Sequence, residues 1–106
     1  MRERDLARVV DDWLQYQENL GNLTWDKLNS GGLIIVAGDS QRHVGLCRPG
    51  TADRYVLKNG HLTFLELKAK KRKQTETQEA FEQRVIEHGA SYFVIRSVEQ
   101  LINLLG

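Results

Sequence analysis

The sequence contains one cysteine, one proline and one methionine among its 106 residues. The single cysteine, Cys47, excludes an internal disulfide framework and indicates a reducing compartment, so we expect a cytoplasmic protein. No apolar run approaches the roughly 18 residues that a membrane-spanning helix needs, so we expect no membrane partner. The charged, amphipathic N-terminal segment does not resemble a signal peptide. These absences, together with the length, favour one soluble globular domain over residues 1–106.

Charge is nearly balanced in total but unevenly distributed along the chain. The 15 basic and 14 acidic residues give a formal net charge of +1, which by itself indicates no particular partner. Five of the six residues in 68–73 are basic, and such a local cluster can attract phosphate even in a nearly neutral protein. The alternative is that this basic run is only a solvated loop, which is the more common case for such runs. The residues that we expect to contact phosphate groups are Lys70, Lys71, Arg72 and Lys73.

Hydrophobic periodicity predicts a mixed α/β fold. Apolar residues at helical spacing near the N-terminus predict an amphipathic helix, and short apolar, β-branched runs predict strands. Thr75 with Gln78, and Ser97 with Gln100, have the spacing of helix capping boxes. The predicted elements are a helix over 3–20, strands over 24–29, 33–37, 43–47, 53–58 and 61–68, a helix over 76–88, a strand over 91–96, and a final helix that begins after 97.

The centre of this pattern is a predicted β-hairpin with Asn59-Gly60 at its turn. Asn-Gly between two apolar runs favours a type I′ turn, which requires positive φ at both central residues. Because the hairpin returns the chain, Asp53 at the start of one strand should lie beside the end of the other. Glu66 and Lys68 are two residues apart at that end, so the strand repeat places them on one face. The sequence therefore predicts two carboxylates and one ammonium at one end of the sheet.

Two carboxylates and a lysine at one place indicate phosphodiester hydrolysis, which requires charge neutralisation and an activated water. Carboxylate oxygens suit Mg²⁺, which also keeps several water ligands. We predict Asp53, Glu66 and the backbone carbonyl of Leu67 as metal ligands. Lys68 would orient the attacking water and offset charge in the transition state. An exposed, salt-bridged strand end is the alternative, since a Glu-x-Lys pair alone is weak evidence.

Several short motifs together resemble the VRR-NUC family of the PD-(D/E)xK nuclease superfamily. They follow the family's order and cover about residues 25–105, which makes them more specific than any single motif. The motifs are Asn29-Ser30-Gly31, Pro49-Gly50-Thr51-Ala52-Asp53, Glu66-Leu67-Lys68, Gln78-Glu79-Ala80-Phe81 and Ser97-Val98-Glu99.

The resemblance implies a restriction-endonuclease-like αβββαβ core, with a mixed central sheet flanked by helices and a C-terminal helix added. It also implies a DNA endonuclease that depends on Mg²⁺ or Mn²⁺. Small standalone members of this family resemble homodimers that cut branched DNA such as four-way (Holliday) junctions. We therefore expect a homodimer. Its interface would use exposed apolar side chains of the first helix, or of the final one, namely Ile102, Leu104 and Leu105.

The family's site residues carry over to this chain by position. Asp53, Glu66 and Lys68 match the catalytic trio. Gln78 matches a glutamine at the start of the following helix, a role that competes with its predicted capping of Thr75.

Two further positions match the family near the catalytic trio, and one segment differs from the family's pattern. Glu18 fits an acidic residue on the superfamily's first helix, and would be a further metal ligand. Ser30 belongs to the Asn29-Ser30-Gly31 motif. This motif has two interpretations: a simple turn, or a turn that also contacts the substrate. Residues 69–73 replace the Gly/Pro-rich loop of many family members with Ala-Lys-Lys-Arg-Lys, which leaves substrate contacts there open.

Two other functions remain open from the sequence. One is a non-catalytic DNA-binding module with the same fold and the same basic loop. The other is a nuclease that acts on flaps, single strands or linear duplex ends.

Overall fold

The computed structural model describes residues 2–28, 33–44, 47–69 and 71–106. Within these ranges the chain forms three helices and six strands, as the periodicity predicts. In chain order they are α1 (Glu3–Asn19), β1 (Thr24–Lys27), β2 (Leu33–Ala37), β3 (Ser40–Val44), β4 (Arg54–Lys58), β5 (His61–Leu67), α2 (Glu76–Glu87), β6 (Ser91–Ile95) and α3 (Val98–Leu105).

Four of the strands form a mixed central sheet in the order β1-β4-β5-β6. Strand β4 pairs antiparallel with β1 and with β5, whereas β5 and β6 are parallel. The antiparallel pairs need only short connections, while the parallel pair needs a crossover, which α2 supplies. Strand β5 is therefore a central strand with partners on both sides, as its apolar residues on both faces predict.

The β4–β5 turn has the predicted geometry. Asn59 has a φ of 52° and Gly60 a φ of 78°, and Lys58 pairs with His61 across the turn. Positive φ at both central residues is what a type I′ turn requires. This turn fixes the register of the two strands and therefore decides which residues meet at their far end.

Helix α1 covers one face of the sheet with the apolar stripe that the sequence predicts. Leu6, Val10 and Leu14 are buried, and they pack with sheet residues and with Leu101 of α3 in one core cluster. The stripe stops before Leu20, the last residue of the predicted helix, which is 57% exposed. Leu20 is the C-terminal cap of the helix.

Helix α2 covers part of the opposite face. Its Phe81 packs edge-to-face on Phe64 of β5, with ring centroids 5.0 Å apart, and also contacts Tyr92 of β6. This second cluster includes Ala52, which is fully buried in the segment that leads into β4. The packing of Ala52 therefore anchors the chain immediately before Asp53.

Both predicted helix N-termini have their capping residues. Thr75 and Gln78 form a reciprocal capping box at α2. At α3, Ser97 accepts from the backbone of Gln100, but the Gln100 side chain bonds to Arg96 N and Val94 O instead of completing a box.

Strands β2 and β3 form a separate two-stranded hairpin, and within the described residues they pair only with each other. The sequence predicts the second of these strands over 43–47, but β3 begins at Ser40. Gly38 has a φ of 63° and Ala37 pairs with Ser40, so a two-residue turn closes the hairpin earlier than predicted.

No helix in the described ranges has the length and apolar character needed to cross a bilayer.

Candidate active site

The start of β4 and the end of β5 bring Asp53 and Glu66 together. Arg54 pairs with Leu65 in the antiparallel register, so the preceding residue, Asp53, lies opposite Glu66. The Asp53 carboxylate accepts a hydrogen bond from the backbone N–H of Leu67, at 2.8 Å from Oδ2. The two carboxylates are thus held at the same end of the sheet by strand register and by a backbone contact.

The pKa values of both carboxyl groups are raised in the folded protein. Burial raises the pKa of Glu66 to about 7, and the nearby charge of Asp53 adds to that effect. Burial also raises the pKa of Asp53, although the hydrogen bond from Leu67 opposes the rise. The charge of Asp53 disfavours ionisation of Glu66, so a cation between the two carboxylates would favour the ionised form of Glu66.

Lys68 supplies a positive charge to this pair. It is only 6% exposed, and its backbone N–H donates to Ile95 O, which continues the parallel pairing one residue beyond β5. Its charge lowers the pKa of Asp53 and of Glu66, in opposition to burial. The structure therefore brings Asp53, Glu66 and Lys68 to the same end of the sheet, as predicted, with Lys68 near enough for its charge to act on both carboxyl groups.

Gln78 performs two roles at once, contrary to the expectation that capping and site contact compete for its side chain. Its Oε1 accepts from Thr75 N at 2.9 Å, which completes the capping box. Its Nε2 donates to Oε1 of Glu66 at 2.7 Å. An amide has a separate donor and acceptor, so capping orients the donor towards Glu66.

The other oxygen of Glu66, Oε2, is buried without a hydrogen-bond partner, and no other buried side-chain polar atom in the described residues is in this state. An unsatisfied buried polar group costs about 1–3 kcal/mol, and more when it is charged. A divalent cation on this oxygen would satisfy it, whereas a proton would remove its charge but leave an O–H donor to be satisfied. The residues of the site therefore fit a cation at this oxygen.

The residues fit Mg²⁺ or Mn²⁺ in donor type. Mg²⁺ is commonly held by one or two carboxylates, with water and substrate phosphate completing its octahedron. Asp53 and Glu66 meet that requirement, and the carbonyl of Leu67 lies on the backbone between Glu66 and Lys68. No group of three or more His, Cys, Asp and Glu residues is arranged for a metal in the part of the chain that the structure describes. A metal here would therefore depend on two acids, solvent and substrate.

Glu3 is a site residue that the sequence analysis missed. Its Oε1 accepts from Ala69 N at 3.2 Å, and its charge raises the pKa of both Asp53 and Glu66. It also lines, with Asp53 and Leu67, an open pocket of about 280 Å³. Glu3 precedes Leu6 and Val10 at helical spacing, so its place on the buried stripe was available as a signal.

Glu18 lies elsewhere, and its assignment as a metal ligand is corrected. It accepts from Thr24 Oγ1 at 2.7 Å, and its hydrogen bonds lower the pKa of its carboxyl group. Thr24 pairs with Leu57, at the opposite end of β4 from Asp53. Glu18 is fifteen residues after Glu3 in α1, which corresponds to about 22 Å along the helix axis.

The basic loop lies beside the carboxylates. Lys71, Arg72 and Lys73 are exposed, and Arg72 Nη1 is 3.6 Å from Glu3 Oε1. The remaining predicted contacts, Lys70 and Ser30, fall outside the described residues.

A buried ion pair fixes the start of β4 against α1. Arg54 is 7% exposed and bonds to both carboxylate oxygens of Asp11, through Nε at 2.5 Å and Nη2 at 2.9 Å. Asp11 also lies 3.4 Å from the Nζ of Lys27 on β1. Since Arg54 follows Asp53 directly, this pair restrains the backbone that carries the first carboxylate.

In comparisons with known proteins, no family model matches the chain and no curated protein matches it.

Proposed function

We propose that this protein is a DNA endonuclease that uses Mg²⁺ or Mn²⁺ to hydrolyse phosphodiester bonds at the Asp53–Glu66–Lys68 cluster. The observation that carries the proposal is the buried, unpartnered Oε2 of Glu66 beside a second carboxylate and a buried lysine. Buried carboxylate oxygens in native proteins are nearly always hydrogen-bonded, so an unpartnered one beside a second carboxylate supports a role in binding a cation.

The chain's own residues would divide the work as follows. Asp53 and Glu66 would hold the cation, with the Leu67 carbonyl as a further oxygen ligand, and Glu3 would add negative charge beside it. The bound cation would neutralise phosphate charge and lower the pKa of a coordinated water. Gln78 fixes Oε1 of Glu66 and so directs Oε2 to the site.

Lys68 would act on the substrate. Its buried ammonium would stabilise the extra negative charge that develops on the phosphorus oxygens in the transition state, and would orient the attacking water. Such a preorganised charge is most effective where water is largely excluded, which the low exposure of Lys68 provides.

The order of the main elements supports assignment to a restriction-endonuclease-like αβββαβ core of the VRR-NUC type. Helix α1 precedes three sheet strands, β1, β4 and β5, and α2 then crosses to β6, with α3 at the end. The β2–β3 hairpin is an insertion between β1 and β4 in this scheme. The single cysteine supports a reducing, cytoplasmic setting as part of the same proposal.

We further propose a homodimer that cuts branched DNA. A chain of this size offers little surface to a branched duplex, and two copies related by a two-fold axis would present two sites. Exposed apolar side chains on α3 support this, because Ile102 and Leu104 are each 40% exposed. Tyr16 and Leu20 near the end of α1 are an alternative patch, at 59% and 57%.

The test is cleavage of labelled four-way junction, flap, linear duplex and single strand, each with Mg²⁺, with Mn²⁺ and with EDTA. We expect metal-dependent cutting that Asp53→Asn and Lys68→Met abolish while DNA binding persists. Glu18→Gln is the matched control, because it removes an acid of the same helix as Glu3 without touching the site. Glu3→Gln should raise the Mg²⁺ concentration needed for half-maximal cutting.

A protein that binds DNA but cuts none of these substrates with either metal would instead be a non-catalytic binding module. Cutting of linear duplex with the junction left intact would refute the junction-specific part of the proposal alone.

A further inference from the structure

A second open pocket adjoins the one that contains Asp53, on the same side of α1. The two pockets share Arg4, Ala7 and Arg54 as walls, and the second, of about 390 Å³, continues to Arg8 and Lys27. We call the two together the α1 groove. It leads away from Asp53 along α1, so a polymer strand that crosses the active site has a continuous path along the helix.

Arg4 and Arg8 are the free cations of this groove. They are four residues apart on α1, so their side chains are neighbours on one helix face, with Cβ atoms about 5–6 Å apart. Both are exposed, and neither has a hydrogen bond or ion pair with any residue in the described ranges. Asp12 lies one turn after Arg8, yet no ion pair joins them.

Asp11, an acidic residue on the wall of the second pocket, is already paired. Asp11 is bound by Arg54 through two hydrogen bonds and lies near Lys27. Arg54 is therefore engaged by Asp11, and among the described residues the unpaired positive charges on the walls of the groove are those of Arg4 and Arg8. Asp12, which also lines the second pocket, is exposed and places a negative charge near Arg8.

Folding of α1 does not account for Arg4. It lies in the first turn of the helix, where a positive charge opposes the helix dipole and acids are favoured. The neighbouring Glu3 and Asp5 follow that preference. An exposed arginine that is slightly unfavourable for its helix, and that faces a groove next to two carboxylates, is better explained by an anionic ligand.

We propose that Arg4 and Arg8 bind consecutive phosphates of the nucleic-acid strand that flanks the scissile bond. This rests on the proposed nuclease function, and it adds a direction to the substrate. Arg72 of the basic loop lies beside Glu3, and Arg4 and then Arg8 follow Glu3 along α1. The cut strand would therefore run from the basic loop, past Asp53, and along α1.

The test is equilibrium binding of fluorescein-labelled duplex and single-stranded DNA, followed by anisotropy at several salt concentrations in EDTA, so that no chain is cut. Arg4→Gln combined with Arg8→Gln should weaken binding on the order of tenfold or more near 0.1 M salt. It should also reduce the slope of log K against log[salt] by about 1.4–1.8, as expected for two lost phosphate contacts. Arg4→Lys with Arg8→Lys should restore most of the slope.

The matched control is Lys58→Gln combined with Arg84→Gln, which removes the same charge outside the groove. Lys58 bonds to Leu105 O near the hairpin turn, and Arg84 lies over the Phe81 ring on α2. We expect the salt slope of this control to stay close to that of the unmutated protein. Thermal melting of each variant checks that it is folded.

The outcomes separate this inference from the proposed function. Suppose that the protein cuts DNA normally, but that the salt slope is unchanged in the Arg4/Arg8 variant or falls equally in the control variant. That result would refute DNA binding by Arg4 and Arg8 and would leave the proposed nuclease function standing. Arginine-dependent binding without any cutting supports the groove and overturns the nuclease. An unmutated protein that binds no DNA overturns both.

Discussion

Gln78 holds one oxygen of Glu66, at 2.7 Å from its Nε2, while the other oxygen of the same carboxylate is buried without a partner. The hydrogen bond fixes the rotation of the carboxylate, so the free oxygen has a defined direction. A purely structural pair would satisfy both oxygens or leave one in solvent. The half-satisfied carboxylate is therefore the feature from which the chemistry of the site can be tested.

The first prediction concerns stability and pH. The pKa of Glu66 is raised from 4.5 to about 7 in the folded protein. Between these values the unfolded chain has lost a proton that the folded chain keeps, so the free energy of unfolding falls as pH rises. Without added metal we expect a loss on the order of 3 kcal/mol between pH 4.5 and 8 from this group. Urea unfolding at a series of pH values measures it.

Glu66→Gln should flatten most of that dependence and make the protein more stable at pH 8 than the unmutated chain. Asp53, whose pKa is also raised, leaves a smaller slope of the same sign. Glu99→Gln, on the exposed side of α3, is the control and should keep the full slope. Stability of the unmutated protein that rises from pH 5 to pH 8 without metal would contradict the assigned burial of Glu66.

The second prediction separates the two roles of Gln78. Gln78→Glu keeps an oxygen that can accept from Thr75 N but loses the donor to Glu66 and adds a negative charge beside it. We expect it to retain the helix cap, and to lower cleavage and raise the pKa of Glu66 further. Thr75→Ala should weaken the helix cap instead, with a loss of about 1 kcal/mol in stability and little change in the cleavage rate. Urea unfolding and cleavage assays on both variants test this, and equal cleavage by the two would refute the role at Glu66.

The sequence was informative where the cause of the structure is local. The Asn59-Gly60 turn and the capping box at α2 depend on backbone preferences of a few neighbouring residues, and both have the predicted form. Because the turn sets the strand register, it was also sufficient to bring Asp53 to the end of β5.

The choice between Glu3 and Glu18 could not be made in the same way. Both lie at helical spacing from the buried stripe of α1, one near each end of the helix. The local sequence does not determine which end of the helix packs near Asp53 and Glu66. That depends on the direction in which α1 crosses the sheet, which is set by tertiary packing. The burial of Arg54 beside Asp53 is likewise invisible without its distant partner on the helix.

The third prediction concerns Gly50 in the segment before Asp53. Gly50 has a φ of 89°, and a Cβ at this position would overlap the backbone carbonyl of Thr77 and lie 2.8 Å from its Cβ. Gly50→Ala should therefore displace the 49–53 segment from the start of α2, cost roughly 1–3 kcal/mol or more, and lower cleavage through Asp53. Thermal unfolding and cleavage rates measure the two effects.

Gly60→Ala is the matched control for Gly50→Ala. Gly60 also has a positive φ, of 78°, but nothing lies within 4 Å of a Cβ there. It should cost only the conformational penalty, about 1 kcal/mol, and should leave cleavage unchanged at temperatures where the protein is folded. Equal effects of the two substitutions on cleavage would show that contact with Thr77 does not position Asp53.

The fourth prediction concerns the ion pair that restrains β4. Asp11→Ala leaves the guanidinium of Arg54 buried without its bidentate partner, and breaking a buried pair in this way costs about 3–5 kcal/mol. Lys27→Ala removes the other contact of Asp11, but the Lys27 side chain is 63% exposed, so we expect a loss of less than about 1 kcal/mol. Urea unfolding of both variants at one pH compares the two partners of the same aspartate.

The same pair of variants tests whether Arg54 acts on the site through backbone position. If the clamp holds Asp53 in place, Asp11→Ala should reduce the affinity for Mg²⁺ in a calorimetric titration under conditions where the variant is still folded, whereas Lys27→Ala should not. Replacing both partners with apolar residues, Asp11→Leu with Arg54→Met, should recover much of the stability because no buried charge is left unpaired. Recovery of stability without recovery of metal affinity would assign the clamp a positioning role. If Asp11→Ala lost neither stability nor affinity for Mg²⁺, the ion pair would not be what holds the segment before β4.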